Sequence, residues 1–170
     1  MPKIIEKLRE RLMEEAFEEI KSNGYTAMTI RSVAKAVGVG TGTIYNYFPS
    51  KEALVASFML KEWNERIKRI ENKASSTKEL NALLSFIYGE IRAFLEKFSV
   101  VISDENAEKI FRLSIGKYHK VLRNQLTQII KSFTNDEFVA AFISEAMITW
   151  TVEGADVDKL LAVILHERSN

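Results

Sequence analysis

Cysteine is absent from the 170 residues, which removes disulfides, thiolate nucleophiles and every zinc pattern built on cysteine, and suits a reducing compartment. Histidine is limited to His119 and His166, too few for a histidine metal site or paired-histidine catalysis. Only Pro2 and Pro49 could interrupt helices. No long uncharged apolar run occurs, so no membrane span is expected, and the charge-rich Met1 to Arg11 stretch does not read as a signal peptide. A cytoplasmic protein without membrane partners is the expectation. Excess charge is missing too: the formal net charge is +1, so the overall balance points to no polyanionic partner. Period-two alternation never persists long enough for a strand.

What is present is helical spacing. Ile4, Leu8, Leu12, Ala16 and Ile20 recur every fourth residue, and Asn23-Gly24 ends that helix. Thr29 can cap a second helix, Ile30 to Val37, stopped by Gly38. A third runs from Thr41 to about Phe48 and is halted by Pro49. Ser50 caps a fourth, Lys51 to about Asn72. Ser76-Thr77-Lys78-Glu79 reads as a capping box before a helix lined by Leu80, Leu84, Ile87, Ile91, Phe94 and Phe98. From Asp104-Glu105 to Phe133 the pattern continues, with Gly116 expected to divide it. Thr134 and Glu137 read as a second capping box for Asp136 to Val152, and a last helix covers Val157 to about Glu167. The expected fold is all-α with about nine helices.

The basic residues are unevenly placed. Ile20 to Lys51 carries Lys21, Arg31, Lys35 and Lys51 and no acidic residue, whereas the remainder is near balance. Four charges alone would describe a solvated face. The segment Thr29 to Lys51 adds more: two short helices joined by a glycine-containing turn, the arrangement of a helix-turn-helix. Val33, Val37, Val39 and Ile44 can form its inner face, with Ala34 small at the crossing. Thr41, Thr43, Tyr45, Asn46 and Tyr47 crowd the second helix with hydroxyls, an amide and rings suited to phosphates and base edges. Lys51 opposes the dipole of its own helix, which makes sense if an anion docks there; Thr29 and Arg31 offer a similar site at the second helix.

Asn23-Gly24-Tyr25, Thr29-Ile30-Arg31, Ala36-Val37-Gly38-Val39, Gly42-Thr43-Ile44-Tyr45-Asn46-Tyr47-Phe48 and Lys51-Glu52-Ala53-Leu54 resemble the DNA-binding domain of the TetR family of transcriptional regulators. The resemblance covers residues 3 to about 56. It implies that Thr41, Gly42 and Thr43 touch bases or adjacent phosphates, that Tyr45, Asn46, Tyr47 and Lys51 hold the backbone, and that Arg31 can reach a base. Gly40 stands where members often carry serine, so that helix cap is weaker here. Phe48 is expected in the core. The implied division is a helix-turn-helix domain, residues 1–50, and an effector-binding and dimerisation domain, residues 51–170, with helix 51–72 as connector.

In Asp136 to Val152 apolar residues occupy more than one face, as they do in the last helix, so a second partner is expected there. A homodimer interface of Phe138, Phe142, Ile148, Leu161 and Leu165 is read, and the resemblance implies the same four-helix arrangement. Ala140, Ala141 and Ala146 would permit close packing. The resemblance also implies a pocket for a small apolar or amphipathic effector. Phe58, Trp63, Phe86, Tyr88, Phe94, Phe111, Tyr118 and Met147 could line it, though aromatics at helical spacing are core first. No cofactor, metal or catalytic residue is expected, and Glu14, Glu15, Glu18 and Glu19 read as solvated charge rather than a carboxylate site. The expected function is a DNA-binding regulator, a repressor by the family's usual mode, binding a palindromic operator as a homodimer. The alternative is a helical interaction module without specific DNA binding.

Overall fold

The structure, a computed structural model, describes residues 2–166, with side chains described for 7–107 and 119–165. Among the described residues all regular structure is helical: α1 Pro2–Asn23, α2 Ile30–Val37, α3 Thr41–Tyr45, α4 Lys51–Ser76, α5 Leu80–Lys97, α6 Ser99–Ile102, α7 Glu105–Thr134, α8 Glu137–Val152 and α9 Val157–His166. They form two compact units. The first takes the chain up to Glu62 together with Phe98–Leu113, and the second takes Trp63–Lys97 and the chain from Ser114 onward.

In the first unit, Leu12, Met13, Ala16 and Ile20 of α1 are buried with Val33 and Ala34 of α2, Ile44 of α3, Phe48, and Leu54 of α4. Three rings close the core beside them: Phe17 lies 4.7 Å from Phe58 and 5.3 Å from Phe98, and Phe58 lies 5.8 Å from Phe98. Phe58 therefore belongs to this aromatic cluster. Phe98 leaves α5 altogether and sits in the turn before α6, a four-residue helix that the periodicity does not foretell.

In the second unit, Trp63, Ile67 and Ile70 of α4 meet Leu83, Leu84 and Ile87 of α5, Leu126 and Ile130 of α7, Ile143 and Met147 of α8, and Leu160 and Ile164 of α9. Several buried polar groups are satisfied locally. The Trp63 indole donates to Gln125 Oε1 at 3.0 Å, and the Tyr88 hydroxyl donates to Ala155 O at 2.8 Å. Arg66 Nη1 donates to Glu90 Oε2 at 2.9 Å, and Arg69 donates to both Glu90 oxygens at 3.0 and 2.9 Å.

Several helix ends differ from their sequence reading. Ser76 is no cap: its hydroxyl donates to Lys73 O at 2.9 Å inside the last turn of α4, which thus outlasts Asn72. Thr134 yields its expected role to Asp136, whose carboxylate accepts from Phe138 N at 2.8 Å and Val139 N at 3.1 Å. Gly116 does not divide α7, which runs unbroken. One interior glycine costs about 1 kcal/mol, less than exposing the unpaired amides and carbonyls of two new helix ends.

Ile148 and Leu161, expected at a dimer interface, are each only 6% exposed and belong to the core of their own chain. Hydrophobic periodicity placed them outward because α8 is apolar nearly all round, and its inward face carries two polar residues, Ser144 and Thr151, both fully buried. The outward apolar residues are Phe138 at 78% exposure, Phe142 at 61%, Trp150 and Val152 on α8, and Val163 at 68% on α9. Leu165 is half-buried. No helix among the described residues is long and apolar enough to cross a membrane.

Candidate nucleic-acid interface

The reading element is assembled from strictly local signals. Thr29 takes an extended conformation, its hydroxyl accepts from Ser32 N at 3.0 Å, and the Ser32 hydroxyl accepts from Thr29 N at 3.1 Å, so a reciprocal cap opens α2. Gly38 closes it at φ 80, a left-handed conformation that costs glycine little. Its N–H donates to Ala34 O at 3.0 Å, and Val39 N donates to the same carbonyl at 2.9 Å. The chain then turns into α3. Gly40 offers no side-chain cap there, as its lack of a hydroxyl implies.

Of the residues expected at DNA on and beside α3, Thr41, Gly42, Tyr45 and Asn46 are exposed and Thr43 and Tyr47 are half-buried, while Ile44 between them is fully buried. Ile44 and Phe48 anchor the segment while the neighbouring polar side chains stand away from the core. Arg31 is exposed on α2. Thr29 is exposed as well, yet its hydroxyl is occupied by the cap, and the Ser32 hydroxyl beside it donates to the Glu19 carboxylate. That carboxylate disfavours an anion at the start of α2.

Three of the four glutamates read as solvated charge, Glu14, Glu18 and Glu19, are locally paired. Glu14 lies 4.0 Å from Lys61, Glu18 lies 3.7 Å from Lys21, and Glu19 meets Ser32. No cluster of three or more potential metal ligands occurs among the described residues. Two arginines of α1 brace the reading head, a role the sequence pattern did not signal. Arg9 lies 5.0 Å over the Phe48 ring, and Arg11 donates to Val37 O at 3.3 Å at the end of α2.

Lys51 is half-buried, and its ammonium donates to Tyr25 O and, at 3.4 Å, to Thr26 O, while lying 4.2 Å from the Tyr25 ring centroid. Burial lowers its pKa, opposed by the charges of Glu52 and Asp104. Burial, then the Glu52 charge and the hydrogen bond to it, raise that of the Tyr25 hydroxyl, which donates to Glu52 Oε1 at 3.5 Å. An ammonium has three N–H groups, so two carbonyls leave one for a phosphate oxygen.

Of the residues read as pocket lining, Trp63, Tyr88, Phe86, Phe94 and Met147 all lie in or against the core of the second unit. Trp63 and Phe94 meet edge to face at 5.6 Å. The side chains of Phe111 and Tyr118 lie outside the described residues. His119 Nε2 approaches Glu145 Oε1 at 3.3 Å, and Arg123 is 3.7 Å from the other Glu145 oxygen.

Residues 12–58 match the family described as bacterial regulatory proteins, tetR family. Over 158 residues the chain is 26% identical to the fatty acid metabolism regulator protein of Bacillus subtilis, covering 91% of this chain and 73% of that one. The TetR family repressor AlkX from Dietzia sp., implicated in n-alkane biodegradation, shares the fold with TM-score 0.68 at 16% identity, over 94% of both chains. FadR of Thermus thermophilus, a TetR family transcriptional repressor solved with lauroyl-CoA, shares it with TM-score 0.63 at 17% identity, over 93% of this chain and 91% of that one. A helix-turn-helix with its polar face open lies where residues 12–58 match the tetR family, on a helical fold shared with TetR-family repressors along nearly the whole length.

Proposed function

We propose that the chain is a cytoplasmic transcriptional repressor, not an enzyme, that binds a palindromic operator as a homodimer and is released by a long-chain acyl thioester or a similar amphipathic molecule in its C-terminal unit. The observation that carries the DNA reading is α3, where Ile44 is buried and Thr41, Gly42, Tyr45 and Asn46 are left to solvent. Thr43 and Asn46 are assigned to base edges, and Arg31, Tyr45, Tyr47 and Lys51 to the backbone on either side. Thr29 acts through the cap that orients Arg31. The dimer reading rests on Phe138, Phe142, Trp150 and Val163, large apolar groups that their own chain leaves exposed. The effector class rests on two relatives, a fatty acid metabolism regulator and a repressor solved with lauroyl-CoA. It rests also on an aromatic-rich second unit.

Selection of bound sequences from a random duplex pool, followed by titration of lauroyl-CoA and stearoyl-CoA against the recovered site, tests the reading. A two-fold symmetric site that either thioester releases is expected. Recovery of no preferred sequence would turn the assignment to an interaction module instead.

Gly42 supplies a sharper test. A Cβ built there meets nothing of the protein within 4 Å, so the fold has no steric need for a residue that weakens a helix. Gly42→Ala should raise stability by up to about 1 kcal/mol, and a methyl group against the groove should lower operator affinity about tenfold. Thermal melting and operator titration read the two effects separately; native affinity would remove Gly42 from the interface. Lys51→Met keeps the aliphatic stem over Tyr25 and removes the charge. It should weaken every duplex similarly and reduce the slope of log affinity against log salt by about 1, and an unchanged slope would exclude the phosphate contact.

A further inference from the structure

The turn between α1 and α2 is held from two directions. On one side, Lys51 at the start of α4 donates to Tyr25 O and Thr26 O. On the other, the chain returning through α6 brings Asp104 against the same residue. Asp104 Oδ2 accepts the Thr26 hydroxyl at 3.0 Å and Thr26 N at 3.3 Å, while Oδ1 accepts Asn106 N at 2.9 Å and Ala107 N at 3.3 Å. The Asn106 carboxamide donates to Thr26 Oγ1 at 3.0 Å. Thr26 thus offers its N–H and hydroxyl to the start of α7 and its carbonyl to the cation at the start of α4. Burial acts to raise the Asp104 pKa, but hydrogen bonds from Asn106, Thr26 and Ala107 outweigh it and the pKa is lowered. The carboxylate stays charged, and its bonds are of the stronger, charge-assisted kind.

A carboxylate that only capped α7 would need Asn106 N and Ala107 N and nothing else. The three further bonds to Thr26 go to a turn whose position sets where α2 begins and where the Lys51 ammonium is held. We propose that Asp104 and Asn106 are positioning residues for DNA reading, latching the α1–α2 turn so that Lys51 and the start of α2 meet the phosphate backbone in register. This rests on the DNA-binding reading above.

Two substitutions separate latch from cap. Thr26→Val keeps the shape and leaves α7 untouched, whereas Asp104→Ser retains a capping oxygen too short to reach Thr26. In the free protein, amide exchange over Tyr25 to Met28 should quicken about tenfold in each variant, and affinity for the selected operator should fall by a similar factor. The double variant should be little worse than either single one, because both cut the same contact. Native exchange in Thr26→Val overturns the latch, and quickened exchange with native affinity overturns its positioning role. A wild-type chain that binds no duplex overturns the DNA reading on which the proposal stands, and exchange at the turn then still reports whether the latch forms.

Discussion

Phe142→Glu is expected to convert the protein to monomers that melt near the wild-type temperature and scarcely bind the operator. Phe142 is 61% exposed on α8 beside Phe138, so its own chain loses little when it is replaced. A two-fold interface contains the residue twice. If each ring is an anchor of roughly 2 kcal/mol, dimerisation weakens about a thousandfold, before the two buried carboxylates are counted. Operator affinity falls with it, since each half-site then binds alone. Sedimentation velocity at micromolar protein, with thermal melting beside it, decides the matter; a dimer that persists would move the interface off α8. Ile148→Asp provides the contrast. Its side chain is buried among the core residues of the second unit, so a charge there should unfold the bundle rather than divide a dimer.

The second large effect is expected inside the second unit. Glu90 receives Arg66 and Arg69 together, and the Arg66 Nε atom is already buried with no hydrogen-bond partner. Removing one member of such a cluster leaves charge uncompensated in a poor solvent for it, at a cost of about 3 kcal/mol. Glu90→Gln should therefore lower the melting temperature strongly without touching the DNA surface. Glu90→Gln paired with Arg66→Met should recover part of the loss. Burial acts to raise the Glu90 pKa, but hydrogen bonds and charge from Arg69 and Arg66 prevail and lower it. The sign follows: its contribution is complete above the ordinary carboxylate pKa of the unfolded chain and disappears as pH falls through the lower folded value. Melting curves between neutral and acidic pH should converge for wild type and Glu90→Gln, and parallel curves would show that the pair does not carry the stability.

The helix-turn-helix was legible because each of its determinants acts within a few residues. Thr29 caps its own helix, Gly38 takes the conformation that ends it, and Ile44 and Phe48 are apolar where the core needs them. The latch was illegible for the opposite reason. Thr26 and Asp104 are 78 positions apart, and nothing in either neighbourhood signals the other. Lys51 was half legible: its awkward place in a first turn signalled a partner, but the partner seen is a pair of backbone carbonyls. On α8 the pattern misled. With apolar residues nearly all round, spacing identifies the helix but not its orientation, so Phe138 and Phe142 fell on the outward side while Ile148 did not. The capping boxes at Ser76 and Thr134 failed because hydroxyl-rich junctions offer several competing oxygens, and Asp136 outcompetes Thr134 for the amides of α8.

One consequence reaches beyond a single operator. Thr41, Gly42, Tyr45 and Asn46 surround one buried anchor, Ile44, so their identities are nearly decoupled from folding. Surface changes away from caps and cores usually shift stability by less than about 0.5 kcal/mol. With these residues reading DNA as proposed, a duplicated copy of this gene could explore new recognition sequences one substitution at a time, each intermediate still folded.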